Sequence, residues 1–292
     1  MSVLVPIDFS ENSAAALQMA AGEASKRQTS LALLHCVDSV DERWDLAEGR
    51  GPGNIDDVSG AAAEKLKAFA EDHLSEDSPA IEEYRVVEDH AATGIHALEQ
   101  EGHYELLVLG ATGAGAVAQF FLGSTAEEVI RSSDTPVLVV PGGDYDPIDE
   151  VLAPIDLSEC SRQSLEAAVE LARREDAHLT IIHASNLPTG AMLLMGREPQ
   201  QQDIDEHRSA RSEQLQEFLE AVDLDDVDYD VEFRFGHPER ELLSFVDEHP
   251  VDRIVMGTHG RRGFDRFFLG STAAKILRKI PCPVMTIRHR ED

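Results

Sequence analysis

The sequence contains little positive charge and almost no lysine. Of its 292 residues, 25 are lysine or arginine and 56 are aspartate or glutamate, which gives a formal net charge of −31. The lysines are Lys26, Lys65, Lys67, Lys275 and Lys279. A nucleic-acid-binding protein needs a basic face to neutralise phosphates, so this composition argues against that function. Hydrophobic residues still make up 42% of the chain, so we expect a folded core and not disorder.

Acidity combined with scarce lysine resembles the proteins of salt-loving cytoplasms, such as those of halophilic archaea. Carboxylates repel one another, and at about 1 M salt the Debye length falls to about 3 Å, which screens that repulsion. We therefore expect the fold to be less stable at low salt. The milder alternative is an ordinary acidic soluble protein.

Cysteine is also scarce. The three cysteines, Cys36, Cys160 and Cys282, are odd in number, far apart and form no CxxC pair. They predict neither a disulfide framework nor a zinc site, and no ligand-spaced cluster of histidine, cysteine or carboxylate residues appears elsewhere in the sequence. The first residues have no basic lead and no cleavage-type segment, so a reducing cytoplasm is the expected location.

Long apolar segments are few. The stretch from Leu106 to Ala126 carries no charge and has nearly membrane-spanning length, but it is rich in glycine. The same stretch in the second half of the chain contains Arg261, Arg262 and Arg266. We therefore expect no transmembrane helix and no membrane partner.

An internal repeat divides the chain. The pattern Pro-Ile-Asp-x-Ser at residues 6–10 recurs at 154–158, and Phe-Phe-Leu-Gly-Ser-Thr at 120–125 recurs unchanged at 267–272. One architecture built twice is the simplest interpretation. We expect one domain over 1–141 and a second over 149–290, joined by a linker at 142–148 that is rich in Gly, Asp and Pro.

A glycine pattern occurs once in each copy. Gly110-x2-Gly113-x9-Gly123-Ser124-Thr125 is matched by Gly257-x2-Gly260-x9-Gly270-Ser271-Thr272. In each copy an apolar run precedes the pattern and a helical pattern follows it. A strand, a flexible loop and a helix start in that order form an anion site, because the first N–H groups of a helix lack partners within it. The plainer interpretation of these glycines is turn chemistry. A P-loop is excluded because no lysine precedes Ser124 or Ser271.

Strand and helix patterns alternate along both copies. In the first, strands are predicted at 3–7, 31–37, 84–87, 106–110 and 137–140, and helices begin at Ser10, near 61, near 94 and at Ser124. Apolar runs of this kind indicate a parallel sheet that is covered on both faces, with ligands bound beyond the carboxyl ends of its strands. Asp8, Cys36, Gly110, Asp156, Ala184 and Gly257 all fall at such ends.

Three features together resemble the universal stress protein family in its nucleotide-binding branch. They are Pro-x-Asp-x-Ser at the first strand, His35 or His183 closing the second, and G-x2-G-x9-G-[Ser/Thr] after the fourth. The resemblance covers nearly the whole chain. It implies an α/β fold of two tandem Rossmann-like domains of the adenine nucleotide α-hydrolase type. Each would be a five-stranded parallel sheet flanked by four helices, and the two would pair through their last strands, 137–140 and 284–287.

The same resemblance implies that each copy binds ATP, ADP or AMP, with Mg2+ as the expected companion of ATP. The phosphates would be held by Gly110, Gly113, Gly123, Ser124 and Thr125 in the first copy, and by Gly257, Gly260, Gly270, Ser271 and Thr272 in the second. Asp8 and Asp156 would face the ribose, with Pro6 and Pro154 beside them. The backbone at Cys36 and Ala184 would meet the adenine edge.

Several of these residues have plainer explanations. Asp8 and Asp156 each precede a helix and aspartate caps helices well, although Ser10 and Ser158 can supply that cap. His35 and His183 are better explained as hydrogen-bonded histidines at strand ends than as metal ligands. His259 either donates to a phosphate oxygen or faces solvent. The first-copy residues Thr93-Gly94-Ile95 depart from Gly236-His-Pro238, the form more usual in the family, which leaves open the turn after the third strand.

The two sites are expected to differ. The second copy places Arg261, Arg262 and Arg266 where the first has Ala114, Gly115 and Gln119. Arginine makes charge-assisted, often bidentate bonds to phosphate, so we expect tighter ATP binding by the second copy. The alternative is that these arginines pair with surface carboxylates.

The expected function is that of an ATP-binding stress sensor or regulator with little or no turnover. No catalytic grouping is visible around the phosphates, and only Asp8, Asp156 or His259 would assist a slow ATPase. An adenylating enzyme of the related nucleotide-hydrolase group would carry a Ser-Gly-Gly-x-Asp-Ser loop, where this chain has Asp8-Phe-Ser10. A nucleotide-free dimerisation scaffold is the third alternative, and a further pairing of whole chains into a homodimer stays open.

Overall fold

The computed structural model describes residues 1–37, 55–102, 104–113, 122–143, 147–186, 200–259, 269–279 and 281–288. The chain divides into two compact units. The first is Met1–Tyr145 with Pro283–Thr286, and the second is Asp146–Cys282 with Ile287–Asp292.

The first unit alternates strands and helices. Its strands are β1 (Ser2–Pro6), β2 (Ser30–Cys36), β3 (Ile81–Val87), β4 (Tyr104–Gly110) and β5 (Val137–Val140), and its helices are α1 (Glu11–Arg27), α2 (Ile55–His73), α3 (Ala91–Glu101) and α4 (Ser124–Ser132). The strands lie in the order β3-β2-β1-β4-β5. Each neighbouring pair is parallel, as the alternation predicts.

The second unit repeats this arrangement. Its strands are β6 (Glu150–Ile155), β7 (His178–Ser185), β8 (Tyr229–Phe235) and β9 (Arg253–Gly257), and its helices are α5 (Glu159–Glu175), α6 (Gln201–Leu219), α7 (Pro238–Glu248) and α8 (Ser271–Leu277). The strands β9-β6-β7-β8 lie side by side and parallel. The last element is β10 (Val284–Ile287).

Central strands are buried on both faces, which explains their apolar runs. Val3, Leu4 and Val5 of β1 have no exposed surface, and the same holds for Leu31 and Leu33 of β2. Edge strand β3 has a polar, half-exposed sequence instead, so its apolar signal is weak. For this reason the sequence places its start at 84, although the strand begins at Ile81.

The turn after the third strand follows the same plan in both units. His90 is the N-cap of α3 and His237 is the N-cap of α7. The residues that correspond to Gly236-His237-Pro238 are therefore 89–91, and the comparison with Thr93-Gly94-Ile95 is wrong. Gly94 lies inside α3, where it packs against β2 and β3.

In the described ranges, no helix combines the length and the apolar character that a bilayer crossing requires.

Candidate functional site

The strand order brings the predicted residues of the first copy to one edge of the sheet. β1 lies between β2 and β4, so the carboxyl ends of these three strands are neighbours. Pro6, Cys36 and Gly110 are the last residues of β1, β2 and β4. Pro6 pairs in register with Leu34, which lies two residues before Cys36 on β2. The strand order reverses at β1, with β2 on one side and β4 on the other, and open α/β sheets bind ligands at the carboxyl ends of strands at such a point.

Asp8 sits at the turn from β1 into α1. Its Oδ1 accepts hydrogen bonds from the Ser10 N–H at 3.1 Å and from the Ser10 hydroxyl at 2.5 Å. Its Oδ2 lies over the loop after β4, because a methyl group added to Gly113 would come within 2.6 Å of that oxygen. Ser10 is the N-cap of α1, and its hydroxyl oxygen accepts from the Ser13 N–H at 3.2 Å. The interpretation of Asp8 as the cap is therefore wrong.

The second copy builds the same turn. Asp156 Oδ1 accepts from the Ser158 N–H at 3.1 Å, while Ser158 and Ser161 form a reciprocal capping box at the start of α5. Between aspartate and serine, Phe9 has φ 63 and Leu157 has φ 64. Bulky residues adopt the left-handed region rarely, and such strain gathers at functional sites. The shared geometry makes this turn a candidate functional element in both copies.

Each glycine loop is closed at its base by one main-chain bond. The Gly123 N–H donates to the Ala111 carbonyl at 2.7 Å, and the Gly270 N–H donates to the Thr258 carbonyl at 2.8 Å. The first of these bonds also brings the start of α4 to Gly113, since a methyl group on Gly123 would lie 3.8 Å from the Gly113 nitrogen. Predicted phosphate residues from both ends of the first loop therefore meet.

Among the described residues, no side chain caps the helix starts beside these loops. Gly123 is the N-cap of α4 and Gly270 is the N-cap of α8, and in the described part of the chain neither has a side-chain cap bond. The helices α1 and α5, in contrast, are capped by serine. An uncapped helix start presents N–H groups and partial positive charge to an anion. Ser124 and Ser271 are exposed there, and Thr125 and Thr272 are half-buried.

The first loop is held by a residue that sequence reasoning missed. Asn12, in the first turn of α1, donates from Nδ2 to the Thr112 carbonyl at 3.0 Å and also to the Thr112 hydroxyl. Gly110 allows this approach, because a methyl group there would lie 3.0 Å from Asn12 main-chain atoms. The contact joins positions about 100 residues apart, so no local pattern signals it.

The residues predicted at the adenine edge are half-buried. Cys36 ends β2, and its sulfur lies 3.8 Å from the Ala91 carbonyl oxygen. Ala184 precedes the last residue of β7, in register with Arg234 of β8. Pro154, like Pro6, is half-buried near the end of its strand.

The two strand-end histidines are structural. His35 Nδ1 lies 2.8 Å from the Ile7 carbonyl oxygen, and His183 Nδ1 lies 2.8 Å from that of Ile155. A carbonyl oxygen only accepts, so Nδ1 carries the proton in both rings. Each histidine thus fastens its strand to the neighbouring one, which confirms the plainer explanation.

The second loop is described only in part. His259 is half-buried, and its Nδ1 lies 2.8 Å from the Thr258 hydroxyl. Gly260, Arg261 and Arg262 lie outside the described residues, as does Arg266.

The described ranges show no metal cluster, and the Cys282 thiol is buried. No group of three or more histidine, cysteine or carboxylate side chains there is arranged to hold a metal ion. Burial raises the pKa of the Cys282 thiol to about 12, although the charge of Arg253 acts in the opposite direction. Cys282 therefore stays a neutral thiol and is no nucleophile at ordinary pH.

Comparisons with known proteins indicate the family. The model of the universal stress protein family matches residues 1–141 and again 147–288. A universal stress protein of Mycolicibacterium smegmatis is 26% identical over 297 residues, covering 99% of this chain and 97% of that protein.

Solved structures show the same fold. The crystal structure of a universal stress protein from Archaeoglobus fulgidus covers 98% of both chains with a TM-score of 0.62 at 22% identity. A universal stress protein in complex with cAMP covers 49% of this chain and 98% of its own, with a TM-score of 0.34 at 20% identity, which is too distant to indicate what this chain binds. The two family matches cover nearly the whole sequence, and the chain therefore belongs to the universal stress protein family.

Proposed function

We propose that each copy of the repeat binds one adenine nucleotide, with ATP as the preferred form. The observation that carries the proposal is the pair of open helix starts: α4 and α8 are N-capped by Gly123 and Gly270, without a side-chain cap bond in the described ranges. In the first copy this start lies beside Gly113, and the Asp8 carboxylate lies against the same glycine. An anionic phosphate tail suits the amides, and a hydroxylated sugar suits the carboxylate.

The proposed ligand set follows the strand ends and the loops. In the first site Pro6 and Asp8 contact the ribose, Cys36 the adenine edge, and Gly110, Gly113, Gly123, Ser124 and Thr125 the phosphates. In the second site Pro154, Asp156 and Ala184 take the first three positions, and Gly257, His259, Gly260, Arg261, Arg262, Gly270, Ser271 and Thr272 hold the phosphates.

Magnesium would arrive with the nucleotide. Mg2+ is usually held by one or two carboxylates together with phosphate oxygens and water. The described residues offer no all-protein cage, so the ion would be held chiefly by phosphate oxygens and water. Bound to ATP, the ion would neutralise part of the phosphate charge.

We further propose that the sites are unequal, because Arg261 and Arg262 add positive charge to the second loop in a chain of net charge −31. Charge-assisted bonds from arginine would favour polyphosphate there. Gly123→Val removes the first site, so that only the second can bind, and Gly270→Val removes the second, so that only the first can bind. Tighter binding by Gly270→Val than by Gly123→Val overturns the inequality.

The proposed role is regulatory, with little or no turnover. The carboxylates of Asp8 and Asp156 accept bonds from their own turns, and the Thr258 hydroxyl, which lies 2.8 Å from His259 Nδ1, is buried. A bound nucleotide would therefore report on the adenylate pool of a cytoplasm under stress. Slow ATP hydrolysis, an adenylating activity and a nucleotide-free scaffold are the alternatives.

Pairing of the two copies through β5 and β10 is part of the same proposal. Its support is that Pro283–Thr286 belong to the first compact unit, although they end the second copy in sequence. Sedimentation of the whole chain would separate a monomer, in which the two copies satisfy each other, from a homodimer.

Identification of bound nucleotide tests the function directly. The purified protein is denatured and the released compounds are identified by mass spectrometry. ATP or ADP at one or two per chain agrees with the proposal, and its loss in Gly123→Val combined with Gly270→Val assigns it to the loops. An acyl-adenylate favours the enzyme alternative. If no nucleotide is found, even after incubation with ATP and Mg2+, only the alternative of a nucleotide-free scaffold remains.

A further inference from the structure

We propose that Asn12 is a positioning residue of the first site, which fixes Thr112 and Gly113 after β4 before nucleotide arrives. The inference rests on the proposed nucleotide binding. The side-chain amide nitrogen of Asn12 donates to Thr112, which is not one of the predicted ligand positions. It acts on the loop that carries those positions.

The first argument is the bond pattern. Asn12 Nδ2 reaches two acceptors on one residue, the carbonyl oxygen and the hydroxyl of Thr112. Thr112 directly precedes Gly113, whose main chain lies against Asp8. Holding Thr112 therefore fixes where the Gly113 amide lies relative to the Asp8 carboxylate.

The second argument is the space built around Asn12. Gly110 and Gly142 flank it: a methyl group on Gly110 would lie 3.0 Å from the Asn12 main chain, and one on Gly142 would lie 2.3 Å from Asn12 Oδ1. Gly142 also has φ 89, a conformation that favours glycine. The end of β4 and the turn after β5 thus both leave room for this half-buried amide.

The third argument is the contrast with the second copy. Cys160 occupies the corresponding place in α5, and a methyl group on Gly257 would lie 2.8 Å from its sulfur. The Cys160 sulfur donates to the Ile287 carbonyl at 3.4 Å, on the last strand of the chain. A thiol is a weak donor with one hydrogen, so it cannot reproduce the two-acceptor amide bridge.

The consequence is pre-organisation of one site. A loop that is ordered in advance spends less conformational entropy on binding than a loop that must be ordered by its ligand. Removal of the Asn12 bridge should therefore weaken nucleotide binding at the first site by about tenfold, the scale of a lost net hydrogen bond.

The test uses two variants in the full chain with Gly270→Val, so that only the first site binds. Asn12→Asp keeps the shape and replaces the donor by an acceptor that faces the Thr112 carbonyl. Asn12→Cys introduces the residue of the second copy without adding charge. ATP with Mg2+ is titrated at high ionic strength, and amide hydrogen exchange at Thr112 and Gly113 is followed in the nucleotide-free protein.

We expect both variants to bind about tenfold more weakly, as argued above from the hydrogen bond, and to exchange faster at Thr112 and Gly113. A lower unfolding temperature with unchanged affinity and exchange would mean a purely structural role and would overturn the proposal. If Gly270→Val itself binds no ATP, the proposed function fails at the first site. The positioning role of Asn12 is then decided by hydrogen exchange alone, and exchange rates at Thr112 and Gly113 that do not change in the Asn12 variants overturn it. Should both variants fail to fold, Thr112→Val, which removes one acceptor of the bridge, takes their place with the same two readouts.

Discussion

Asp8 and Gly113 are in direct contact: a methyl group in place of a Gly113 hydrogen would come within 2.6 Å of Asp8 Oδ2. The carboxylate follows β1 and the glycine follows β4, and these strands are neighbours in the sheet. The contact brings the residue proposed for the ribose together with the loop proposed for the phosphates. It also means that a side chain at this position of the glycine pattern would have to displace the Asp8 carboxylate.

Gly113→Ala should therefore weaken nucleotide binding more than it weakens the fold. The added methyl group displaces the end of the Asp8 side chain, which can move toward solvent at small cost because Asp8 is exposed. We expect at least a tenfold rise in the dissociation constant of ATP at the first site, about 1.4 kcal/mol. Isothermal titration calorimetry in the Gly270→Val background measures it.

Gly22→Ala is the matched control for that variant. Gly22 is exposed within α1, and a methyl group there meets nothing within 4 Å. Alanine should stabilise the helix by about 0.5–1 kcal/mol and leave ATP affinity unchanged. Equal affinity losses in Gly22→Ala and Gly113→Ala would refute the proposed role of the Asp8–Gly113 contact.

Gly94→Ala should destabilise the first unit. Gly94 lies in α3, and its methyl group would come within 2.8 Å of both Cys36 Sγ and Val87 Cγ2. Overpacking of this kind costs about 1–3 kcal/mol, which urea unfolding would detect as a lower midpoint. In Gly60→Ala the new methyl group of α2 meets nothing within 4 Å. A midpoint that falls no further in Gly94→Ala than in Gly60→Ala contradicts the packing described here.

Much of the fold follows from patterns that are local in sequence. The β5 strand spans 137–140 as its apolar run predicts, and Ser10 and Ser158 cap α1 and α5 as their positions predict. Capping and strand burial depend on residues a few positions apart, and the internal repeat doubles each signal. The fold class could therefore be read from the sequence with the family resemblance.

The features that the sequence does not predict depend on contacts between distant segments. Asn12 looks like an ordinary polar residue of a first helical turn, and only the fold brings it to Thr112. Phe9 and Leu157 have residue types that disfavour positive φ, so their left-handed turns contradict local preference. The surrounding sheet and helix impose that conformation, which a pattern of residue types does not encode.

The stabilising contribution of His178 to the second unit should decrease as pH rises. Burial alone would lower its pKa, but the hydrogen bond with Asp228 and the charges of Glu150, Asp228 and Asp230 raise it above the ordinary value near 6.5. Nδ1 lies 3.0 Å from Asp228 Oδ2 and Nε2 lies 3.5 Å from Asp230 Oδ2. Because the pKa of His178 is higher in the folded state than in the unfolded state, the protonated ring stabilises the fold fully at pH below the unfolded-state pKa. This contribution is lost as pH rises through the folded-state pKa.

The measurement compares His178→Gln with the parent protein by denaturant unfolding across that pH range. The stability difference should be largest below the ordinary histidine pKa and should shrink above the raised one. Asp228→Asn supplies the control, because it removes the first partner and should reduce the pH dependence. A difference that is constant, or that grows with pH, contradicts this assignment.

Low ionic strength should destabilise the whole chain. The net charge is −31, and the Debye length grows from about 3 Å at about 1 M salt to about 10 Å at about 0.1 M. Repulsion between surface carboxylates is then screened less, so the thermal midpoint should fall as salt is removed. Sucrose at matched osmolality should not replace the salt. A midpoint independent of salt would favour the milder alternative of an ordinary acidic protein.

Calorimetric titration of ATP with Mg2+ at high ionic strength tests the central claim most directly. The parent chain should give saturable heat with one or two sites, and Gly123→Val combined with Gly270→Val should give none while retaining the parent's unfolding transition. No saturable heat from ATP, ADP or AMP in the folded parent chain would contradict the account, as would unchanged binding by the double variant.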